Sequence, residues 1–239
     1  MSGHSKWSTI KRKKEKTDAQ RAKIFTKIGR EMTVCVKQSG PDPSSNTKLK
    51  DLIIKAKANN VPSDNIERVI KKAAGGDDKN TYEEITYEGY GPSGVAILVK
   101  TLTDNRNRTA ADLRHYFDKY GGNMGSIGCV SFMFNEKGII IIDKEKANED
   151  QLMELALEAG ASDFSSDNDC YEISTEVADF HTVRDALENA GYELESAEID
   201  FIADNYVSLD EQSIVKMEKL LDMFDDNDDV QDVYHNWEN

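Results

Sequence analysis

Lys6, Lys11, Arg12, Lys13, Lys14, Lys16, Arg21 and Lys23 crowd the opening stretch MSGHSKWSTIKRKKEKTDAQRAKIFTK, with Trp7 among them. Cations at this density, interleaved with short polar residues, suit contact with a phosphate backbone, and an indole can stack on a base or dock the arm. A second candidate is TDNRNRT, where Arg106 and Arg108 fall at a strand-to-helix junction. Their planar forks suit phosphate or carboxylate. The same residues also read as a capping turn of Thr103, Asp104 and Asn107 whose arginines pair with neighbouring acids, and the spacing leaves both readings open.

Other motifs fail on chemistry. GYGPSG matches a dinucleotide fingerprint in letters, but it lies between two strands and opens no helix, so it reads as a hairpin turn. GGNMGSIG lacks the GK[ST] ending of a P-loop and reads as a flexible loop able to offer backbone N–H groups to phosphate. DDNDD, Asp225 to Asp229, starts like a calcium loop, yet Val230 stands where that loop needs glycine, so a solvated helix end is expected. His4, His115, His181 and His235 are scattered without metal-ligand spacing, and His115 and His181 are expected to be partly buried on helices. Cys35, Cys129 and Cys170 show no CxxC spacing, and no serine or cysteine has a base placed beside it. The residues therefore point to no catalytic site, metal, cofactor or small-molecule substrate.

Charge is divided along the chain. Residues 1–79 hold 19 Lys and Arg against 9 Asp and Glu, a net +10, while residues 80–239 hold 11 against 36, a net −25, giving −15 for all 239 residues. Such a division fits a polyanion-binding end joined to an acidic body that repels the same polyanion and so orients the complex. A soluble basic helical face is the plainer alternative. No apolar run approaches the roughly 18 residues that span a bilayer, so no membrane association is expected and the cytoplasm is the expected compartment. No self-complementary patch stands out that would set an oligomeric state.

These groups need elements to hold them. Ile24, Ile28, Met32 and Val36 recur every four residues and predict a helix over 18–38; Leu49, Leu52, Ile53 and Ala56 predict a second, and Ile66, Val69, Ile70 and Ala73 a third. Ser63 or Asp64, with Glu67, is expected to cap the third. Each helix has one apolar face, which can be buried only against the others, so a three-helix bundle is expected. After residue 79 the period changes. EEITYEGY, VAILVKTL, CVSFMF, GIIIIDK, CYEIST, SAEIDFIA and VQDVYHNW predict strands, and RTAADLRHYFDKYGG, NEDQLMELALEAG, ADFHTVRDALENAG and DEQSIVKMEKLLDMF predict helices. This alternation fits an α+β multidomain chain with two small ferredoxin-like α/β domains, the last helix and strand completing the first of them. The expected domains are 1–79, a discontinuous 80–136 plus 202–239, and an inserted 137–201.

The blocks MSGHSKWSTIKRKK, AKIFTK, NIERVIKKA, YEGYGPSGVAILV, LTDNRNRT, GGNMGSIGCVSFMF, ELALEAGA and VYHNW occur in an order that resembles the YebC/PmpR family over nearly the whole chain. The resemblance implies one helical and two α/β domains, the third inserted in the second. It also implies a bacterial, cytoplasmic protein without an assigned active site. Bacterial members of that family are described as transcriptional regulators that bind promoter DNA, whereas its mitochondrial translational activators of cytochrome oxidase act at the ribosome. The leading expectation is a non-enzymatic DNA-binding regulator of transcription; the alternative is a ribosome-associated translation factor that grips ribosomal RNA. No helix-turn-helix, zinc finger or RNP signature is present to read bases.

Overall fold

The computed structural model describes residues 18–76, 81–167 and 169–238, with side chains from Ala22 onward. These fall into two compact units: the described chain up to Ser131 together with Leu209–His235, and Phe132–Ser208 together with the C-terminal residues from Asn236.

The first unit begins with three helices, α1 (Asp18–Ser39), α2 (Thr47–Ala58) and α3 (Ser63–Ala74). Their apolar stripes meet as expected: Ile28, Met32, Cys35 and Val36 pack with Leu49, Leu52, Ala56, Ile66 and Ala73. The turn between α1 and α2 is fastened by Asn46, which is 3% exposed. Its Oδ1 accepts from the Leu49 backbone N–H at 3.1 Å, capping α2, while its Nδ2 donates to the carbonyls of Gly40 at 2.8 Å and Cys35 at 3.3 Å. One side chain thus ends α1 and starts α2, satisfying groups that both helix termini leave open. The expected cap of α3 does not form. The helix begins one residue earlier, after Pro62 at φ −58°, so Ser63 and Asp64 already lie inside it and no side chain caps it.

The same unit contains a four-stranded antiparallel sheet of order β3-β1-β2-β8, with β1 (Glu83–Tyr90), β2 (Ala96–Thr103), β3 (Asn123–Met124) and β8 (Val230–His235). A hairpin turn at Pro92–Gly94 joins β1 to β2, with Ser93 and Gly94 at positive φ, in line with the reading of GYGPSG as a turn. Helices α4 (Arg106–Lys119) and α7 (Glu211–Asp226) meet edge to face through Phe117 and Phe224, ring centroids 5.2 Å apart. Gly89 lets α4 and β3 close on β1: a Cβ there would lie 2.6 Å from the Asn123 carbonyl and 2.9 Å from the Phe117 ring.

CVSFMF is not a strand. Residues up to Val130 form a loop, Ser131–Met133 a 3₁₀ turn, and the strand starts only at Phe134. That strand, β4 (Phe134–Asp143), is central in the second sheet, of order β5-β6-β4-β7, with β5 (Asp163–Ser166), β6 (Cys170–Thr175) and β7 (Ser196–Ala203). With α5 (Glu149–Glu158) and α6 (Phe180–Asn189) the chain order is βαββαβ, the ferredoxin-like arrangement. The run Ile139–Ile142 does not alternate because both faces of β4 are covered. Ile140 and Ile142 pack with Leu152, Phe180, Val183 and Leu187 of the helices, and Ile139 and Ile141 pack with Cys170 and Ile202. In the first sheet the β1–β2 hairpin is central, with β3 and β8 outside it, and its elements follow in the chain order ββαβ and, from Glu211, αβ.

Candidate nucleic-acid interface

Of the residues the sequence nominates, Lys6, Trp7, Lys11, Arg12, Lys13, Lys14 and Lys16 lie outside the described residues, and Arg21 lies on α1 before the first described side chain. Lys23, Arg106 and Arg108 are described. They have three different fates.

Arg108 is 47% exposed, but its Nη2 is tied to a buried carboxylate. Its Nη2 donates to Asp229 Oδ2 at 2.6 Å and to Asp104 Oδ1 at 2.9 Å. Asp229 is 4% exposed and is the centre of a larger arrangement. Thr109 Oγ1 and Thr103 Oγ1 donate to the same Oδ2 at 2.9 and 3.1 Å, and Arg30 Nη1 of α1 donates to Oδ1 at 2.9 Å. Burial works to raise the Asp229 pKa, but the hydrogen bonds from Arg108, Thr109 and Thr103 outweigh it and hold the carboxyl below its ordinary value. Asp229 and then Asp104 in turn hold the Arg108 guanidinium above its ordinary value. Arg108 Nη2 thus makes the acid pairs that one of the two readings of TDNRNRT expects, while the guanidinium keeps about half of its surface exposed. The turn is capped by Asn105, whose Oδ1 accepts from the Arg108 backbone N–H at 3.1 Å. Asn107 plays no part in that cap.

Arg106 opens α4 and is exposed; its carbonyl accepts from the Tyr87 hydroxyl at 3.3 Å. Lys23 Nζ donates to Asp226 Oδ1 at 2.7 Å, at the end of α7. The DDNDD stretch is thus more than a solvated helix end, because it takes cations from α1. Periodicity could have shown that Lys23, Lys27 and Arg30 share a helix face, but not what lies against it. Among the described residues, the exposed cations on the helical part are Lys37 of α1, Lys48, Lys50 and Lys57 of α2, and Arg68, Lys71 and Lys72 of α3. His115 is exposed rather than partly buried, and His181 is half-buried.

The glycine-rich loop is also committed internally. Glu88, 4% exposed on β1, accepts backbone N–H groups of Gly128 at 2.7 Å, Val130 at 2.8 Å and Ser131 at 2.8 Å. Gly122 N–H donates to the Phe117 carbonyl at 2.9 Å and Gly125 N–H to the Glu88 carbonyl at 2.8 Å. The Tyr90 hydroxyl donates to the Cys129 carbonyl at 3.0 Å. Burial raises the Glu88 pKa, yet the three loop amides more than offset it, and the carboxyl stays below its ordinary value. The amides expected to greet phosphate hold the protein's own carboxylate instead, and the loop is fastened rather than flexible, with Ile127 84% exposed at its crest.

Among the described residues, no group of three or more His, Cys, Asp or Glu could hold a metal ion. No helix among them is long and apolar enough to cross a membrane.

Residues 5–76 match the family described as the TACO1/YebC protein N-terminal domain, and residues 82–237 match the TACO1/YebC second and third domain. A protein of Ruminiclostridium cellulolyticum, named "Probable transcriptional regulatory protein", is 60% identical over all of this chain and 97% of its own length. One of the same name from Caldicellulosiruptor bescii is 58% identical over all of this chain and 98% of its own length. A crystal structure of a conserved hypothetical protein from Aquifex aeolicus superposes with a TM-score of 0.84 at 42% identity, covering 93% of this chain and 92% of that one.

Proposed function

Because this chain belongs to the TACO1/YebC family, we propose that it is a non-enzymatic regulator of transcription that binds promoter DNA through its basic N-terminal region. The observation that carries this reading is the confinement of positive charge: +10 over residues 1–79 against −25 over the remainder. The names of its relatives support the regulatory part. Lys6, Lys11, Arg12, Lys13, Lys14, Lys16 and Arg21 supply the phosphate contacts, Arg106 adds an exposed guanidinium, and Trp7 stacks or docks the arm. The acidic domains keep the rest of the molecule off the duplex.

If about six phosphates are engaged, log K falls against log salt with a slope of about −5. A slope near zero, or binding unchanged when Lys11, Arg12, Lys13 and Lys14 are replaced by alanine, rejects the electrostatic reading. Crosslinking in cells followed by sequencing of the bound nucleic acid tests the partner. Promoter peaks support a transcriptional role; ribosomal RNA enrichment without them overturns it in favour of a translation factor at the ribosome.

A further inference from the structure

Lys23, Lys27 and Arg30 stand at i, i+4 and i+7 of α1, one cationic stripe along one face of the helix. Each of the three donates to oxygens of residues 225–229, the end of α7 and the turn into β8. Lys23 Nζ donates to Asp226 Oδ1 at 2.7 Å and to its carbonyl at 3.3 Å; Lys27 Nζ donates to the Asp225 carbonyl at 2.9 Å. Arg30 Nη1 donates to the Asp228 carbonyl at 2.8 Å and to Asp229 Oδ1 at 2.9 Å. The carbonyls belong to the last residues of α7 and the turn after it, where the helix dipole leaves partial negative charge and the carboxylates add full charges. A row of negatively polarised oxygens laid along a cationic stripe reproduces what a nucleic-acid backbone presents to lysines on a helix.

The stripe is not uniform along its length. At the Arg30 end the acceptor side chain, Asp229, is 6% exposed and carries three further donors. At the Lys23 end the partners' side chains are 39% and 64% exposed. An exposed pair in water exchanges readily for another anion, whereas the buried one is fixed by the donors around it. The contact thus has a permanent root and an exchangeable rim.

We propose that Lys23 and Lys27 form a DNA-phosphate contact that the acidic turn Asp225–Asp228 holds closed in cis. Duplex DNA brought in by the N-terminal arm displaces the turn from the rim, while Arg30 and Asp229 keep α1 attached. This rests on the DNA-binding reading above and adds an intramolecular competitor to it. The consequence is a measured affinity lower than the cation count allows, and a salt slope that omits two available lysines.

The test is anisotropy of a labelled mixed-sequence DNA duplex titrated at several salt concentrations. Asp225→Asn/Asp226→Asn/Asp228→Asn, which leaves Asp229 intact, is compared with Asp118→Asn/Glu211→Gln/Glu218→Gln, an equal charge change at exposed positions away from the stripe. The expected result is a gain in affinity for the turn variant of about tenfold, with a salt slope steeper by about two, since each new phosphate contact adds roughly 0.9. Adding Lys23→Ala/Lys27→Ala abolishes that gain, whereas the same pair in the wild-type background changes affinity by less than about twofold. Circular dichroism and melting confirm that each variant folds. Equal gains in the turn variant and the charge control, or an unchanged slope, overturn the masking while wild-type binding leaves the DNA reading standing. If neither wild type nor turn variant binds duplex at low salt, the DNA reading falls and takes the masking with it.

Discussion

Asp229 and Glu88 are both buried carboxylates with depressed pKa values, and the molecule neutralises them in different ways. Asp229 is answered by full charges and hydroxyls from α1, β2 and α4, drawn from positions up to 199 residues away. Glu88 is answered by three consecutive-region amides from one loop. The first arrangement ties distant elements together, because one carboxylate holds donors from three of them. The second shapes a single loop with dipoles that no substitution of loop side chains removes. Buried charge in this protein is thus spent once on tertiary attachment and once on local form.

The sharpest way to break the comparison is Asp229→Ala, which leaves Arg108, Arg30, Thr103 and Thr109 facing an absent acceptor. Urea unfolding should show a loss of about 3–5 kcal/mol. A loss under about 1 kcal/mol would mean that water replaces the carboxylate and that the node is not an attachment point. Glu88→Gln should cost less, about 1–3 kcal/mol, because the amide retains one acceptor while its NH2 faces backbone donors. Its signature is local: hydrogen exchange should quicken at Gly128, Val130 and Ser131 while the amides of α1 stay protected. Uniform quickening throughout the unit would erase the distinction between the two carboxylates.

Acid sharpens the same contrast. Both folded pKa values lie below the ordinary 3.8 of aspartate and 4.5 of glutamate, so the stabilisation is complete above those values and is lost as pH falls through the depressed folded ones. Wild-type stability should therefore decline below about pH 4.5, and each substitution should flatten part of that decline. An acid limb of unchanged steepness in Asp229→Ala would contradict the assignment. The smallest effect belongs to Lys23→Ala, whose exposed pair with Asp226 should contribute no more than about 1 kcal/mol, diminishing in high salt. Melting temperatures at low and high salt measure it.

Much of the fold was legible because most segments depend on local pattern. EEITYEGY is β1 residue for residue, and the three N-terminal stripes pack as their spacing predicts. CVSFMF misled because its apolar run looks extended, whereas Glu88, some forty residues earlier in the chain, takes the amides around it and bends it into a loop. DFSS lacks alternation and becomes strand β5 only by pairing with β6 at the sheet edge. At the candidate site, sequence found the arginines of TDNRNRT but could not choose their partner, since Asp229 reaches Arg108 across 121 positions. Nothing in the sequence singles out Arg30, because its two acceptors approach only after α7 and β8 are in place.

The isoleucine run of β4 has a consequence for biosynthesis. Ile139–Ile142 is a neutral, β-branched segment whose two ladder neighbours, β6 and β7, are both later in the chain. During synthesis it is therefore an unpaired, sticky strand until Cys170–Thr175 and then Ser196–Ala203 have been made. Lys137 before it and Asp143 and Lys144 after it act as charged gatekeepers over that interval. A chain halted between β4 and β6 would carry this segment bare, which makes premature termination there a route to aggregation rather than to a smaller soluble protein.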